Sequence, residues 1–379
     1  MTLDDDARAE LRRLEESHRR RHPRVVDGRQ GPVIRLGNRE VVNFASNDYL
    51  GLAADPRLAE AAKACIDRNG VGAGASRLVV GNHQLHEDLE SALARWLGSS
   101  GVRVFNTGYA ANTGILTALL QAGDIVFSDE LNHASIVDGC RLSRAEIVVY
   151  PHRDLDALES SLKQRPGNRR LIVSESLFSM DGDLADVERL SAIARRYEAA
   201  WMLDEAHAIG VLGPSGRGLA AKYKVAPDLL VGTLGKAFGV AGAFVATTEA
   251  IAELLWNRAR PFVFSTGLPP SMAAAALAGL AVIGSDEGDR RRSRLQENIS
   301  LLRAEVPGLG GAAESPIAPL VIGSDEQVVQ ISQAWLEAGF FVQAIRPPTV
   351  PEGTARLRIS LSSEHQPADI ARAAHVFRR

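Results

Sequence analysis

Only two cysteines, Cys65 and Cys140, occur in 379 residues, and they do not form a Cys-x-x-Cys pair. That speaks against a disulfide framework or a zinc ribbon and fits a reducing cytoplasm, with both thiols packed as small hydrophobes. Aromatic residues are sparse at 5%, and neither sign of charge prevails: 43 Lys and Arg stand against 46 Asp and Glu, a formal net charge of -3. Such a balance gives no global case for a nucleic acid or an anionic membrane as partner. No apolar run is long enough to cross a bilayer, since the most apolar window, 272–283, falls short of the roughly 18 residues a span needs. The N-terminus opens on Asp4, Asp5 and Asp6 without an apolar segment, which argues against a secretory signal. Repeats and low-complexity tracts are absent as well.

What is present is a 45% hydrophobic chain, enough for two domains or one large α/β domain with an appendage. Apolar, β-branched runs at 102–105, 125–128, 147–150, 171–174, 201–204, 229–231 and 243–247 alternate with helical patterns. This predicts an α/β fold with a mostly parallel seven-stranded sheet covered by helices on both faces, the short connection 232–242 allowing one antiparallel edge. Before it come an amphipathic helix at 7–24 that carries Arg19, Arg20, Arg21 and Arg24, a short strand at 41–44, and helices at 57–68 and 86–96. After it, a long helix at 269–305 interrupted at 284–288 leads to strands at 317–322, 340–344 and 356–361, which alternate with helices at 326–338 and 367–378. The change of pattern predicts an N-terminal arm (1–45), a large α/β domain (46–285) and a smaller C-terminal α+β domain (286–379).

Ligands of open α/β sheets bind beyond the carboxyl ends of the strands, and the polar residues of this chain collect there. The 229–231 run delivers Lys236 into a turn bracketed by Gly232, Gly235 and Gly239, where backbone can approach a ligand closely. A lysine so held is either an ordinary loop residue or, if its amine is kept neutral, a nucleophile for imine chemistry. The 102–105 run leads into Asn106-Thr107-Gly108-Tyr109, a turn opening a helix whose leading N–H groups suit a phosphate. The 125–128 run leads to His133, a flat ring for stacking or a structural histidine; 171–174 leads to Ser179; and 201–204 ends in Asp204-Glu205-Ala206-His207.

Three competing readings fail on spacing. Gly70 to Ala75 satisfies a dinucleotide-binding fingerprint, but a helix rather than a strand precedes it. His83 and His86 lack a third ligand and the order of a zinc helix, and they suit the start of the following helix instead. Asp-Glu-Ala-His is also a helicase ATPase motif, yet no P-loop accompanies it: Gly235-Lys236 is followed by Ala237, and Leu230 stands where the first glycine belongs. One ligand uses a phosphate nest, a stacking partner, a carboxylate at a strand tip, hydroxyls and a lysine together, and that ligand is pyridoxal phosphate.

At this point the sequence resembles the α-oxoamine synthases, pyridoxal 5′-phosphate enzymes of the aspartate-aminotransferase fold (fold type I). The resemblance rests on 46–52 (Ser-Asn-Asp-Tyr-Leu-Gly-Leu), His133-Ala134-Ser135, 178–182 (Phe-Ser-Met-Asp-Gly), 204–207, 233–239 (Thr-Leu-Gly-Lys-Ala-Phe-Gly) and 344–358. It implies that Lys236 carries the cofactor as an imine and moves the substrate α-proton, that Asp204 pairs with the ring nitrogen, that His133 stacks on the ring and that His207 bonds its hydroxyl. Ser179, Thr233 and the amides of Gly108 and Tyr109 complete the cofactor contacts, while Asn47 and Arg358 take an amino-acid carboxylate. Arg19 (or its neighbours Arg20 and Arg21), His133 and Thr349 are implied to meet the acyl substrate. A homodimer is implied too, with Ser265 or Thr266 reaching the partner's phosphate. The run Ile345-Arg346-Pro347-Pro348-Thr349-Val350-Pro351 points to the branch that condenses L-alanine with a pimeloyl thioester, on CoA or acyl carrier protein; glycine-using sister synthases and plain aminotransferases are the alternatives. Tyr109 stands where the family commonly has Phe, and Gly267 where a hydroxyl residue is frequent.

Overall fold

The computed structural model describes residues 2–166 and 169–378. In chain order its elements are α1 (Leu3–Glu16), β1 (Val26–Asp27), β2 (Val33–Leu36), β3 (Arg39–Asn43), α2 (Pro56–Asn69), α3 (Gln84–Leu97), β4 (Gly101–Phe105), α4 (Gly108–Leu119), β5 (Ile125–Asp129), α5 (Ala134–Ser143) and β6 (Glu146–Tyr150). Next come α6 (Leu155–Gln164), β7 (Arg170–Glu175), α7 (Val187–Arg196), β8 (Ala200–Asp204), α8 (Gly218–Lys222), β9 (Leu229–Thr233), β10 (Ala243–Thr247), α9 (Glu249–Arg258) and α10 (Arg260–Val263). The chain closes with α11 (Pro270–Ile283), α12 (Asp286–Glu305), β11 (Ile317–Gly323), α13 (Asp325–Glu337), β12 (Phe340–Phe341), β13 (Gln343–Ile345), β14 (Ala355–Ser360) and α14 (Pro367–Phe377). Two compact units result: a larger one of Leu52–Ser179 and Leu184–Arg292, and a smaller one of the residues up to Gly51, Met180–Asp183 and those from Ser293 onward.

The larger unit is built on a seven-stranded sheet, among the described residues, in the order β4-β10-β9-β8-β7-β5-β6. All seven apolar runs form its strands, and the pairs from β9 through β6 are parallel. The antiparallel strand is not at the edge, however: β10 lies between β4 and β9 and runs against both. The two reversals restore the direction of β4, so the start of α4 opens at the same rim as the carboxyl ends of β5, β7, β8 and β9. α4 covers the sheet with Ala111, Ile115 and Leu116, which pack with Val126, Val173, Met202, Val231 and Val245 in one buried cluster. Burial of side chains this size contributes about 1.5–3 kcal/mol each.

The helix boundaries follow from caps. Asp55 accepts from the Arg57 amide with Pro56 in the first turn of α2, and Thr107 accepts from the Ala110 amide ahead of α4. His83 caps α3 through its ring while His86 reaches back to the His83 amide, the reciprocal pairing of a capping box. Gly70 to Ser76 is loop, followed by a π-turn at Arg77–Gly81. The helix predicted for 269–305 is two helices with a break confined to 284–285.

In the smaller unit β1, β2 and β3 form an antiparallel meander, and β12 joins β3 in parallel. A separate antiparallel sheet runs β11-β14-β13. The single strand expected at 340–344 is therefore two, and the chain changes sheets at Val342, whose carbonyl is taken by the Ser332 hydroxyl at 2.7 Å. The first helix stops at Glu16, short of the expected Arg24: Ser17 Oγ binds the Arg13 carbonyl, the amides of Arg19 and Arg20 both fold back onto the Leu14 carbonyl, and His18 turns left-handed with φ 57°. Arg19, Arg20 and Arg21 consequently lie beyond the helix. Among the described residues no helix is long and apolar enough to cross a membrane.

Candidate active site

Within the larger unit the strand tips bring Asp204, His207, Lys236, His133 and Thr233 to one rim. Asp204, buried at the end of β8, accepts from Asn112 Nδ2 at 2.8 Å through Oδ2 and from the Ala206 amide at 2.9 Å through Oδ1. Hydrogen bonds to both oxygens favour the ionised form of a carboxylate. Immediately beyond, the chain turns over the Glu205 carbonyl and presents buried His207, whose Nε2 lies 2.7 Å from Lys236 Nζ. Two nitrogens at that distance require one lone pair between them, so this edge of His207 and the amine cannot both be fully protonated toward each other.

The lysine turn is closed at its base. The Leu234 amide bonds the Gly242 carbonyl at 2.9 Å, and Thr233 Oγ1 both donates to Gly242 at 3.1 Å and accepts the Gly235 amide at 3.1 Å. At Gly239 φ is +71°, and a Cβ there would sit 2.4 Å from the Ala53 amide nitrogen, so glycine is required both by conformation and by space.

His133 caps α5. Its Nδ1 faces the Ser135 amide at 3.3 Å and the Ser135 hydroxyl at 2.7 Å, and Asn112 Nδ2 donates to that same hydroxyl at 2.9 Å. Because an N–H points at Nδ1, the ring is neutral with its proton on Nε2. Burial of the imidazole lowers its pKa, aided by the Lys236 amine and opposed by Asp204. Asn112 thereby links Asp204 to His133 through Ser135. Asn112 was not singled out from sequence, although a lone amide one turn inside the apolar Ala110–Ile115 stretch was a readable signal.

At the head of α4 the amides of Gly108 and Tyr109 have no carbonyl within the helix to bond, and a Cβ built on Gly108 meets nothing within 4 Å. The Tyr109 hydroxyl donates to Asp138. Ser179 is buried in the turn after β7. Thr266 is exposed, and its carbonyl accepts from Asn106 Nδ2 at 2.8 Å; the next residue, Gly267, donates to the Ala75 carbonyl, and a Cβ there would lie 3.0 Å from the Gly81 carbonyl oxygen. That close approach leaves little room for a side chain at Gly267.

The smaller unit holds the other predicted residues in two groups. Arg358, buried on β14, donates to Asn47 Oδ1 through both Nη1 and Nη2 at 3.2 Å and to Ser360 Oγ at 2.8 Å, and the Tyr49 hydroxyl donates to Asn47 Oδ1 at 3.1 Å. In the arginine run, Arg19 is ion-paired with Asp325 at 2.7 Å and with Glu352, while Arg21 Nη2 donates to Thr349 Oγ1 at 3.1 Å.

The donor set at the rim suits pyridoxal phosphate group by group. A hydrogen-bonded carboxylate answers a pyridinium, an amine an aldehyde, open helix-terminal amides and a buried hydroxyl a phosphate, and an imidazole face a flat ring. An amine-to-histidine contact beside a buried carboxylate has no comparable use in holding a nucleotide.

Comparison with known proteins agrees. The family Aminotransferase class I and II matches residues 39–377. Curated relatives called 8-amino-7-oxononanoate synthase include one from Geobacter sulfurreducens, 50% identical with 98% of this chain and 96% of that protein aligned, and one from Citrifermentans bemidjiense, 46% identical with 94% and 93% aligned. Among solved structures, serine palmitoyltransferase from S. paucimobilis with a bound PLP–myriocin aldimine superposes with a TM-score of 0.93 at 32% identity, covering 99% of this chain and 96% of that one. An 8-amino-7-oxononanoate synthase from Francisella tularensis gives 0.76 at 31% identity, covering 89% and 97%. The chain belongs to the class I and II aminotransferase family and, within that family, to the 8-amino-7-oxononanoate synthases.

Proposed function

We propose that the chain joins L-alanine to a pimeloyl thioester, carried on CoA or acyl carrier protein, releasing carbon dioxide, the free thiol and 8-amino-7-oxononanoate, with pyridoxal 5′-phosphate as cofactor. The observation that carries this reading is the 2.7 Å contact of Lys236 Nζ with His207 Nε2 on the turn that leaves Asp204, in a chain half identical to curated synthases of this name. Bound there, the cofactor supplies an electron-accepting ring for the electron pair left when a bond at the amino acid's α-carbon breaks.

The roles then fall to named atoms. Lys236 Nζ would anchor the cofactor and, as a free amine beside the amino acid, would take the α-proton and later return it. His207 Nε2 beside it offers a lone pair to the amine or an N–H to the ring hydroxyl. Asp204, held by Asn112 and Ala206, keeps a proton on the ring nitrogen. His133 stacks, and its neutral state leaves Nε2–H as a donor toward the acyl carbonyl oxygen, where charge develops. Ser179, Thr233 and the Gly108 and Tyr109 amides hold the cofactor. Asn47 and Arg358 hold the alanine carboxylate and set the orientation of the bond that loses carbon dioxide. Thr349 and the run Arg19 to Arg21 face the acyl donor; Arg21 already bonds Thr349, whereas Arg19 would have to exchange Asp325 and Glu352 for substrate.

A homodimer is part of the proposal, with Ser265 or Thr266 reaching the phosphate in the partner. Its support is an exposed apolar surface on the larger unit: Val71 (70%), Val79 (72%), Val80 (78%) and Phe264 (72%) stand open to solvent. A cytoplasmic setting is supported by two buried, unpaired cysteines.

Thiol release during incubation with alanine and pimeloyl-CoA tests the activity. Borohydride reduction followed by peptide mapping tests the anchor. Release with glycine and a short acyl-CoA but not with pimeloyl-CoA would move the chain to a sister activity, and a label on any residue other than Lys236 would overturn the site.

A further inference from the structure

Glu175 ends β7 as Asp204 ends β8, and the two residues are paired in register across parallel strands, so both carboxyl groups start from one level of the sheet. Glu175 is 3% exposed, and its Oε1 is buried with no hydrogen-bond partner among the described residues. An ionised carboxylate has about four acceptor positions to satisfy, and a second negative charge beside Asp204 would be repelled by it. The backbone N–H groups of His133 and Ser179 face the Glu175 carboxyl group and pull its pKa down. Its own amide donates to Asn132 Oδ1 at 3.1 Å, and Asn132 Nδ2 in turn bonds Ser128 Oγ and the Val173 carbonyl at 2.9 Å each. The Asn132 side chain therefore fastens the turn that carries His133 to the end of β7, where Glu175 stands.

We infer that Glu175 is a positioning residue of the cofactor site, an uncharged carboxylic acid that offers an acceptor to the backbone at His133 and Ser179 and adds no charge beside Asp204. The inference rests on the reading of the rim as a pyridoxal phosphate site. Two carboxyl groups pushed toward different protonation states by their surroundings is a recurring arrangement where acid and base forms are both needed at neutral pH. Desolvation first, then Asp204, raises the Glu175 carboxyl to about 8 against the pull of Lys236 and the two amides. A neutral Glu175 adds no charge to compete with Asp204 for the proton on the ring nitrogen.

The test compares Glu175→Gln with Glu175→Leu. Glutamine keeps an acceptor for the two amides and the neutral charge; leucine keeps neither acceptor nor polarity. Titration of each apoenzyme with pyridoxal phosphate should give a dissociation constant within about 3-fold of wild type for Gln and weaker by about 10-fold or more for Leu, which removes the acceptor that the His133 and Ser179 N–H groups face. The induced circular dichroism of the bound chromophore should match wild type in Gln and change in Leu. A Gln variant as impaired as Leu would overturn the uncharged state, and a Leu variant equal to wild type in both readouts would overturn the positioning role.

If Leu does not fold, infrared spectroscopy of the folded apoenzyme decides on charge. A protonated-carboxyl band at neutral pH that vanishes in Glu175→Gln supports the inference, and its absence overturns it. That band does not depend on the cofactor. A wild type that shows it yet loads no cofactor on Lys236 would remove the proposed function, not the protonation state.

Discussion

At the scale of single residues the site is a short chain of hydrogen bonds, Asp204 to Asn112 to Ser135 to His133, with Lys236 and His207 beside it. Removing Asn112 takes a donor from an ionised group, a loss of about 1.5–3 kcal/mol. Asn112→Ala should therefore lower kcat/KM about 10-fold or more with the fold intact by circular dichroism, and Asn112→Asp should do worse because it sets a like charge 2.8 Å from Asp204. Arg358→Met should instead act through alanine: KM for alanine should rise at least about 10-fold, while cofactor loading measured by absorbance stays at the wild-type level. Asp204, His207, Lys236 and His133 could be read from sequence because each sits at a strand end or within four residues of one, where the pattern itself marks the position. Asn112 left only a faint mark, a lone amide early in α4, and Glu175 left none: it looks like one more strand residue until its neighbour across the sheet is known to be Asp204.

At the scale of elements, the seven runs of the large sheet were legible because buried parallel strands are almost wholly apolar, as in Leu171-Ile172-Val173. The place of β10 was not, since nothing local in Ala243 to Thr247 says which strands flank it. β1 and β2 escaped notice for a related reason: they are short and mostly exposed, and they exist only because the neighbouring strands offer a ladder. The end of α1 misled in the other direction, because helix-forming residues continue past Glu16 and the stop is a backbone arrangement around Ser17 and His18. The turn carrying Lys236 is the element most sensitive to a small change. Gly239→Ala imposes a strained φ and a clash with the backbone at Ala53, so it should lower stability by about 1–3 kcal/mol in thermal unfolding and reduce borohydride-trappable cofactor on Lys236.

At the scale of the whole molecule, buried ionisable groups set how stability varies with pH. Glu175 and Glu205 are raised by desolvation to about 8 and about 7, so the stability they contribute is fully present below the ordinary glutamate value and is lost as pH rises through those folded values. His365 is lowered by burial to about 4, so its contribution is present above the ordinary histidine value and is lost as pH falls toward 4. Thermal unfolding from about pH 5 to about pH 8 should show a smaller fall in Tm for Glu175→Gln than for wild type. Sedimentation should report a dimer for wild type and a shift toward monomer for Val80→Asp, which sets a charge on the most exposed residue of the apolar surface.

The smaller unit draws on both ends of the polypeptide, and among the described residues the β3 edge of its meander is covered by β12, which pairs Phe340 with Val42. During synthesis on a ribosome the amino-terminal strands thus emerge long before their partner exists, while the seven-stranded unit has every strand it needs once Thr247 is out. Vectorial synthesis would let that unit consolidate first, with Asp204 and Lys236 already on their strand ends, while the β1-β2-β3 meander keeps its β3 edge open to proteases and chaperones until the last quarter of the chain arrives.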